Sequence, residues 1–561
     1  AVTHPSRQDV VGYWPCEDGE GARSLASGLT GHPAGMISGG IDLATYQEWA
    51  ASDALPTITS GLLRFAVPSY TATNYIIVRL FVAAPSGGVA ATQRLLSFTQ
   101  TGTSTDWSLY LNSSGNLDLR GYDVAGTQIF ATGFQAFGLN GTRKVLSVEL
   151  TYTAPDTFAD LYAYDVDAGT LTLSSVITFG DVLPANTIGR VTQIRVGEDG
   201  GLAGTAVGHL ILANGVLALI DSEGAMIAWR GETATDRIAR IPGEDEVPVV
   251  VHGVSDERVG AQSLAAFLDV LREAADADHG ILYEARESLA LQYRDRWGLY
   301  NQAVTLSLDY TGDDGLVAPL DPVDDDQSVR NDVTVQRTGG ASARATLDTG
   351  TLSTQAPPDG VGRYDQAVTL NLFDDDQPAQ HAGWLLHLGT VDETRYPVVR
   401  VDLANAPGMI DDASAVDIGD RVEITNPPAW LPSDAIDLMV QGYTEVLDQY
   451  TWTIDFNCTP AAPWDVAVVD EARVDTDGSE LAVGVDADDT SLSVAVTAGA
   501  LWTTTDTPFE VRVGGEVMTV TAVSGASSPQ TFTVTRSVNG VTKSHASGAD
   551  LRLAAPAIVA L

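Results

Sequence analysis

Two short runs of aspartate are the part of this sequence whose residue type and spacing could bind a metal ion. Ca²⁺ takes about six to eight oxygen ligands, which carboxylates and carbonyls of a flexible loop can supply. The candidate ligands are the outer residues of each run: Asp324, Asp326, Asp374 and Asp376. Neither run has the D-x-D-x-D-G spacing of a dedicated calcium loop, so the alternative is that both are solvated turns. Near the start of the chain, Asp18 and Glu20 could likewise either bind calcium or lie in a solvated turn.

Aromatic side chains could bind a sugar, because a flat ring offers an apolar face and, in Trp and Tyr, a polar edge. The candidates are Trp14, Trp49, Trp107 and Tyr110. Trp14 and Trp107 lie in predicted strands, so we expect them in the core. Trp49 lies in the loop-like segment QEWAASDALP, and it is therefore the better candidate for an exposed ring that stacks on a sugar; the alternative is that it binds no glycan.

No residue pattern points to catalysis. The sequence has neither G-x-S-x-G nor a cysteine with a credible histidine partner, and the six-residue spacing of His381 and His387 does not fit H-x-x-x-H zinc ligation. Glycoside hydrolysis needs two carboxylates about 5 to 9.5 Å apart, and no local motif singles out such a pair. We expect a protein that is not an enzyme and that binds no cofactor, calcium excepted.

The charge balance excludes two classes of partner. The 561 residues include 74 acidic and 30 basic side chains, for a formal net charge of −44. A nucleic acid or an anionic membrane surface is therefore not expected as the main partner. Cys16 and Cys458 are too few and too far apart for a disulfide framework, and we expect both to be buried as small apolar side chains.

The elements that would position these residues are mainly strands. Over 11–215 about ten short segments alternate apolar and polar residues, and turns such as 113–116 separate them. This pattern predicts a two-sheet sandwich.

One amphipathic helix is predicted over 261–277, with Ser263 as its N-cap and Gly280 as the left-handed residue that follows it. Two short strands, 281–283 and 289–293, should then form a hairpin.

Further helices are predicted over 374–388, where Asp376 occupies the N-cap position, and near 217–226. The stretch 341–363 is expected to be an extended loop, and Gly514-Gly515 to be a hairpin turn.

The predicted organisation is mainly β and multidomain. It comprises a jelly roll (1–215), a connector (216–259), a helix-plus-hairpin domain (260–340), a β-rich domain (341–465) and a C-terminal β-sandwich or barrel module (475–561).

The first part resembles the LamG-like, concanavalin-type jelly roll. The residues that carry the resemblance are Gly12-Tyr13-Trp14-Pro15 with 17–21, Trp107-Ser108-Leu109-Tyr110 and 208–212. The opening motif is similar to the start of such domains in actinobacteriophage tail proteins. The resemblance implies glycan binding, in some members with calcium, or a purely structural spacer.

The later parts resemble minor tail or tail-hub proteins of siphophages that infect actinobacteria. The residues that carry this resemblance occur in order at 275–283, 290–294, 328–335, 417–422 and 440–443. The C-terminal unit is similar to a module at the ends of such proteins, through 513–520 and 535–540.

The resemblance implies a structural virion protein at the tail tip, a minor tail protein or baseplate hub component. Its expected partners are further copies in a homotrimer, the distal tail protein, the tape measure protein and a host-surface glycan or receptor. The hub family carries a tube-forming barrel before this segment, so we expect either that a barrel precedes Ala1 or that the protein is a peripheral attachment. The alternative function is a secreted or surface carbohydrate-binding protein, or a glycan hydrolase with a LamG module.

Overall fold

The computed structural model describes residues 9–166, 172–183, 185–198, 200–215, 224–323, 327–431, 434–475 and 478–561. The chain is mainly β and multidomain, as predicted. It divides into two compact units, a first of 1–232 with 258–270 and a second of 233–257 with 271–561. Within the described ranges, no helix is long and apolar enough to cross a membrane.

The first unit is a sandwich of two eight-stranded antiparallel sheets. Its described strands are β1 Val10–Trp14, β2 Ser24–Leu25, β3 Gly35–Ser38, β4 Ile41–Tyr46, β5 Leu55–Ile58, β6 Leu62–Ala66, β7 Tyr75–Ala83, β8 Gln93–Gln100, β9 Asp106–Leu111, β10 Leu117–Tyr122, β11 Gln128–Ala131, β12 Arg143–Thr153, β13 Asp156–Asp165, β14 Thr172–Leu183, β15 Val191–Val196 and β16 Thr205–Ala213. The first sheet has the order β14-β13-β12-β7-β16-β5-β4, with β1 also paired to β16. The second has the order β11-β10-β9-β8-β15-β6-β3-β2. The predicted sandwich is confirmed, although edge strands as short as β2 are too brief to show an alternating pattern in the sequence.

Strand β9 shows how the sequence produces the second sheet. In DWSLYL every second side chain is apolar, and Trp107, Leu109 and Leu111 are all buried in the core between the sheets. The polar side chains between them lie on the opposite face. Trp14 is also fully buried in this core, so the prediction for Trp14 and Trp107 is confirmed.

The second unit combines three small sheets with a barrel. Its strands are β17 Val249–His252, β18 Ile281–Glu284, β19 Leu291–Arg294, β20 Val304–Asp309, β21 Asp332–Arg337, β22 Ser342–Thr346, β23 Asp365–Leu370, β24 Val398–Asp402, β25 Arg421–Thr425, β26 Ile436–Leu447, β27 Trp452–Pro460, β28 Ser479–Leu481, β29 Ser491–Val496, β30 Phe509–Val513, β31 Glu516–Ser524, β32 Gln530–Thr535 and β33 Leu551–Leu553. The small sheets have the orders β17-β19-β18, β20-β25-β26-β27-β24 and β22-β21-β23. Each contains one parallel pair: β17 with β19, β20 with β25, and β21 with β23.

Four α-helices are described: α1 Ala234–Glu244, α2 Phe267–Asp278, α3 Gln377–Gly389 and α4 Ile410–Ala415. Helix α2 begins later than predicted, so Ser263 is not its N-cap. The left-handed residue after it is His279, with φ 58°, rather than Gly280. Gly280 is required for space, because a Cβ there would lie 2.5 Å from the Tyr293 hydroxyl. The predicted hairpin is confirmed by the antiparallel pairing of β18 with β19.

Helix α1 was not predicted, because Pro242 and Gly243 are residues that usually interrupt a helix. In the structure both lie in the last turn of α1. Thr233 caps it by accepting a hydrogen bond from the Asp236 amide at 3.0 Å. The helix predicted near 217–226 falls largely on 216–223, outside the described residues.

Helix α3 confirms the prediction over 374–388, and Asp376 occupies its N-cap position, although its side chain makes no capping bond. The prediction of a loop over 341–363 is wrong in part. Strand β22 lies within it and pairs with β21. Its residues, SARAT, are small or polar and form an edge strand that carries little apolar periodicity.

The last six strands close into a barrel. Their order is β28-β29-β32-β31-β30-β33, and a bridge between Glu480 and Asp550 joins the two ends. Gly514 and Gly515, both at positive φ, form the predicted hairpin turn between β30 and β31. Cys16 of the sandwich and Cys458 of β27 are buried, as predicted.

A charged cluster is buried inside the barrel around Glu516. Its side chain is 0% exposed and forms two hydrogen bonds with Arg536, at 2.6 and 2.7 Å, and one with Nε2 of His545, at 2.8 Å. Burial opposes the ionisation of Glu516, but these bonds outweigh it and lower its pKa to about 2.

A second buried network joins α2, β19 and the segment that follows β17. Arg296, 2% exposed, donates to Glu257 at 3.1 Å and to the Asp278 carbonyl at 3.4 Å. The Asp278 carboxylate is fully buried and accepts from the hydroxyls of Ser255 and Tyr293. Two carboxylates therefore depend on one guanidinium in the interior of the second unit.

The network continues through two histidines that are 102 positions apart in the sequence. Nε2 of His279 lies 2.9 Å from Nδ1 of His381, and Nε2 of His381 lies 3.2 Å from Glu257. Burial is the main reason that the pKa of His279 falls to about 3, and the adjacent His381 and Arg296 lower it further.

We expect acid to destabilise the second unit through His279. The unfolded chain titrates this residue near pH 6.5, so it binds the proton more readily than the folded chain. The contribution of neutral His279 to the stability of the second unit is therefore fully present above about pH 6.5 and is lost as the pH falls toward 3. Hydrogen exchange of β18 and β19 at pH 7.5 and pH 5 measures this. His279→Asn tolerates the left-handed backbone and should flatten the dependence, whereas an unchanged dependence in that variant would contradict the prediction.

Candidate functional site

One face of the second sheet in the first unit points away from the core and carries polar side chains; we call it the open face. Strand register places one residue from each of six adjacent strands in a single row. From β10 to β3 this row consists of Arg120, Ser108, Ser97, Arg195, Arg64 and Met36. Since neighbouring strands lie about 4.8 Å apart, the four spacings from Arg120 to Arg64 extend over about 19 Å.

Two further rows flank this one. On one side lie Tyr122, Asp106, Thr99 and Gln193; on the other lie Asp118, Tyr110 and Arg94. Burial raises the pKa of the Asp106 carboxyl, against the opposing effects of the Ser108 hydroxyl and nearby arginines. The three rows therefore carry four arginines, two carboxylates and two tyrosines, in a protein whose acidic residues outnumber the basic ones.

Glu198, at the end of β15, links three strands of the open face. It accepts from Arg94 at 2.7 Å and from the Ser97 hydroxyl at 2.9 Å, and Arg195 lies 3.4 Å from its other oxygen. Burial opposes its ionisation, but the hydrogen bonds from Arg94 and Ser97 outweigh that effect and lower the pKa of Glu198. Glu198 is thus an ionised anchor that holds Arg94 against the sheet.

The Tyr110 ring contacts two guanidinium groups, those of Arg120 and Arg94. Cζ of Arg120 lies 4.3 Å from the centre of the Tyr110 ring and Cζ of Arg94 lies 5.6 Å from it, both within cation–π range. Arg120 also donates to Asp118 at 2.7 Å. Guanidinium groups provide up to five donors in a planar fork, so this surface offers fixed donors to the oxygens of a ligand.

The expectation that Trp49, the candidate for glycan binding, is exposed is wrong. Trp49 is only 7% exposed, because its ring stacks on Phe81 with 4.1 Å between ring centres. Its indole nitrogen donates to the Met226 carbonyl at 2.9 Å. Of the four aromatic candidates, Tyr110 is the one that lies on the open face.

His209 forms a polar cluster that the sequence did not indicate, because its partners are far away in the chain. Nε2 of His209 lies 2.8 Å from the Ser52 hydroxyl, and Nδ1 lies 2.9 Å from the Tyr13 hydroxyl. The Ser–His distance suits nucleophilic catalysis, but Glu17 accepts from Ser52 at 3.1 Å and lies 3.4 Å from the same imidazole nitrogen. The Asp53 carbonyl is a further acceptor for the Ser52 hydroxyl, at 2.8 Å. The one serine proton therefore has acceptors other than the imidazole, and the cluster ties β16 to β1.

The aspartate run at 374–376 is used in local structure. Asp374 accepts from the Asp376 amide at 3.0 Å, and Asp375 accepts from Arg337 at 2.7 Å and from the Ala341 amide at 2.8 Å. Within the described part of the chain, no three His, Cys, Asp or Glu side chains are grouped to hold a metal ion. Calcium binding at this loop stays a prediction, and Asp324 and Asp326 lie outside the described residues.

Three of the tail-hub motifs meet in the second unit. Arg294 of β19 forms an ion pair with Asp420 at 2.8 Å. Gly419 has φ 85°, and a Cβ there would lie 2.9 Å from Arg294, so this position requires glycine. In the third motif the Val440 amide donates to the Asp420 carbonyl at 2.9 Å, and Tyr443 receives the guanidinium of Arg286 over its ring at 4.3 Å. Motifs separated by over a hundred residues thus form one contact region between two sheets.

A cavity of about 480 Å³ opens beside His279. Its lining is largely apolar, with residues such as Leu388 and Trp464, and includes the amides of Gln366 and Gln441. Sequence spacing could not indicate this cavity, because its walls come from segments that are far apart in the chain.

Comparison with protein-family models finds no match, and comparison with curated proteins finds none either. Among solved structures, the chain is similar to the binding domain of botulinum neurotoxin serotype D, with 11% identity, a TM-score of 0.28 and coverage of 40% of this chain and 53% of that one. It is similar to the tail protein from Neisseria meningitidis MC58, with 9% identity, a TM-score of 0.30 and coverage of 69% and 98%. It is also similar to the Ruminococcus gnavus IT-sialidase CBM40 bound to α2,3-sialyllactose, with 14% identity, a TM-score of 0.18 and coverage of 27% and 80%. The chain thus spans about half the length of the neurotoxin domain, and the structural neighbours include a tail protein and carbohydrate-binding domains.

Proposed function

We propose that this chain is a structural virion protein of a phage tail tip, a minor tail protein or baseplate hub component, that attaches to a host-surface glycan. The observation that carries the attachment role is the open face, where arginines and tyrosines stand in register on a rigid sandwich. Sites built on strands hold their side chains more firmly than sites built on loops.

The chemistry of the open face suits a saccharide. Sugar hydroxyls accept hydrogen bonds, and the guanidinium groups of Arg94 and Arg120 are held by Tyr110 and by carboxylates before any ligand arrives. Such preorganisation reduces the entropy lost on binding. Each site can be weak, because repeated copies on one particle multiply the overall affinity.

The tail-tip role is supported by the motifs that resemble tail-hub proteins and by the contact region that joins Arg294 to Asp420. In this proposal the second unit assembles with further copies, as a homotrimer under cyclic symmetry, and contacts the distal tail protein and the tape measure protein. The protein acts without catalysis and without a cofactor, calcium at an acidic loop excepted.

Attachment is tested with the full chain and the variants Arg120→Gln and Tyr110→Ala, in binding to host cells and to a glycan array. We expect Arg120→Gln to bind about 10- to 100-fold more weakly, since a hydrogen bond to a charged group contributes about 1.5–3 kcal/mol. Tyr110→Ala should also bind more weakly, because it removes the cation–π contacts, of about 0.5–2 kcal/mol, that hold Arg94 and Arg120. Arg143→Gln, on β12 of the first sheet, is the matched control and should bind normally. Equal binding by all four proteins would refute the open face as the site.

The virion role is tested by antibody labelling of intact particles. Label in repeated copies at one end of the tail is the expected result. Label absent from every particle would favour the alternative, a secreted or surface carbohydrate-binding protein or glycan hydrolase.

A further inference from the structure

Two arginines on the open face stand directly opposite each other. Arg195 of β15 pairs in register with Arg64 of β6, so both side chains leave the same face, with Cβ atoms about 4.5–5.5 Å apart. Like charges in this position disfavour the folded strands. The chain has only 30 basic residues and 74 acidic ones, so a juxtaposed arginine pair calls for an explanation.

Neither arginine is well neutralised by the protein. Arg64 is exposed and has no hydrogen bond or ion pair among the residues that the structure describes. Arg195 uses its Nε for Gln193, and one terminal nitrogen lies 3.4 Å from Glu198, which is longer than the usual charge-assisted distance of about 2.7–2.9 Å. The other oxygen of Glu198 is already bound by Arg94 at 2.7 Å. Glu198 is therefore shared between Arg94 and Arg195, which also act electrostatically on Asp106, and neither carboxylate pairs with Arg64.

We infer that the ligand of the open face is an anionic saccharide whose carboxylate or phosphate group binds between Arg64 and Arg195. Planar guanidinium forks match both kinds of anion, and a bound anion would remove the repulsion between the two side chains. The inference rests on the proposed function, and it adds the chemical class of the ligand.

A saccharide fits better than a small free anion, because the pair is one end of a longer polar row. The row covers about 19 Å to Arg120. Its middle residues, Ser97 and Ser108, are 1% exposed and donate to Glu198 and Asp106, so Arg120 is the accessible group at its other end. A free anion would use the arginine pair alone. An acidic saccharide would place its charged group there and would extend its hydroxyls toward Arg120, whose side chain is 28% exposed.

The salt dependence of binding distinguishes an anionic saccharide from a neutral one. At −44 the protein as a whole repels anions, but charges farther away than about 8 Å are largely screened at physiological ionic strength. Binding should therefore depend on the local arginines and should weaken when salt is raised well beyond that level. Binding of a neutral saccharide would depend little on salt.

The experiment compares three probes with the full chain by biolayer interferometry: an oligoglucuronate, a poly(glycerol phosphate) and a neutral glucan. The variants are Arg64→Gln and Arg195→Gln, and Arg143→Gln is again the control. We expect one or both anionic probes to bind, each variant to lose about tenfold or more, and the control to lose nothing. Comparison of the two anionic probes shows whether the group recognised is a carboxylate or a phosphate.

Stability separates a ligand-binding role from a structural one. We expect Arg64→Gln to unfold at the same temperature as the original protein or at a higher one, because it removes a like-charge contact. A lower unfolding temperature together with unchanged binding would overturn the inference. Equal affinity for the neutral glucan would also overturn the inference. In that case the proposed glycan attachment would stand, but the ligand would not need to be anionic. If no probe binds, the inference also fails, and the host-cell assay decides the proposed function separately.

Discussion

Glu516→Gln is expected to lower the stability of the C-terminal barrel by about 3–5 kcal/mol, the usual cost of removing one partner of a buried ion pair. The side chains of Glu516 and Arg536 are 0% and 7% exposed. Glutamine keeps the shape but turns an NH₂ group toward a guanidinium that can only donate, so the arginine remains buried and uncompensated.

Hydrogen exchange across β30–β33, followed through urea unfolding, measures this loss. Glu510→Gln is the matched control, since Glu510 lies on the neighbouring strand β30 with an exposed side chain. That variant should change stability by less than about 0.5 kcal/mol. Equal stability of the two variants would mean that the buried ion pair contributes nothing.

Arg296→Met is expected to destabilise the second unit by a similar amount, about 3–5 kcal/mol. Arg296 is the guanidinium that faces both Glu257 and Asp278, whose side chains are 9% and 0% exposed. Methionine fills part of the volume but leaves two buried carboxylates without a cation. Their pKa values should then rise in the folded state.

The sign of the pH dependence shows whether the uncompensated carboxylates of Glu257 and Asp278 cause the loss of stability. In the Arg296→Met variant the folded state binds protons more readily than the unfolded state at these two carboxylates, so the lost stability should return in part as the pH falls below neutrality. Urea unfolding at pH 7.5 and pH 5.5 tests this, with the exposed Arg272→Met on α2 as the control. A loss of stability that does not depend on pH would point to packing instead.

The sequence predicts the parts of this fold that local patterns determine. The alternation in β9 places Trp107 in the core, and the apolar spacing after Asp376 predicts α3. The Gly514-Gly515 pair predicts a hairpin for the same reason, because two adjacent residues at positive φ are rarely anything but glycine. In each case the information lies within about a dozen residues.

The site depends on strand register, which no local pattern determines. Arg64 and Arg195 face each other only because β6 pairs with β15, and His279 meets His381 across 102 positions. For Trp49 the local pattern was misleading: its flanking residues are typical of an exposed loop, but Phe81 from β7 covers its ring. Long-range contacts decided each of these outcomes.

The parallel pairing of β20 with β25 also sets the order in which the second unit can form. These strands end and begin about 110 residues apart, and three other strands and α3 lie between β20 and the next strand of their sheet, β24. A ribosome adding roughly 5–20 residues per second leaves β20 without its partner for roughly 6 to 20 s. Such high contact order slows folding, so in a newly made chain the first unit can be complete while Leu306 and Leu308 of β20 are still uncovered.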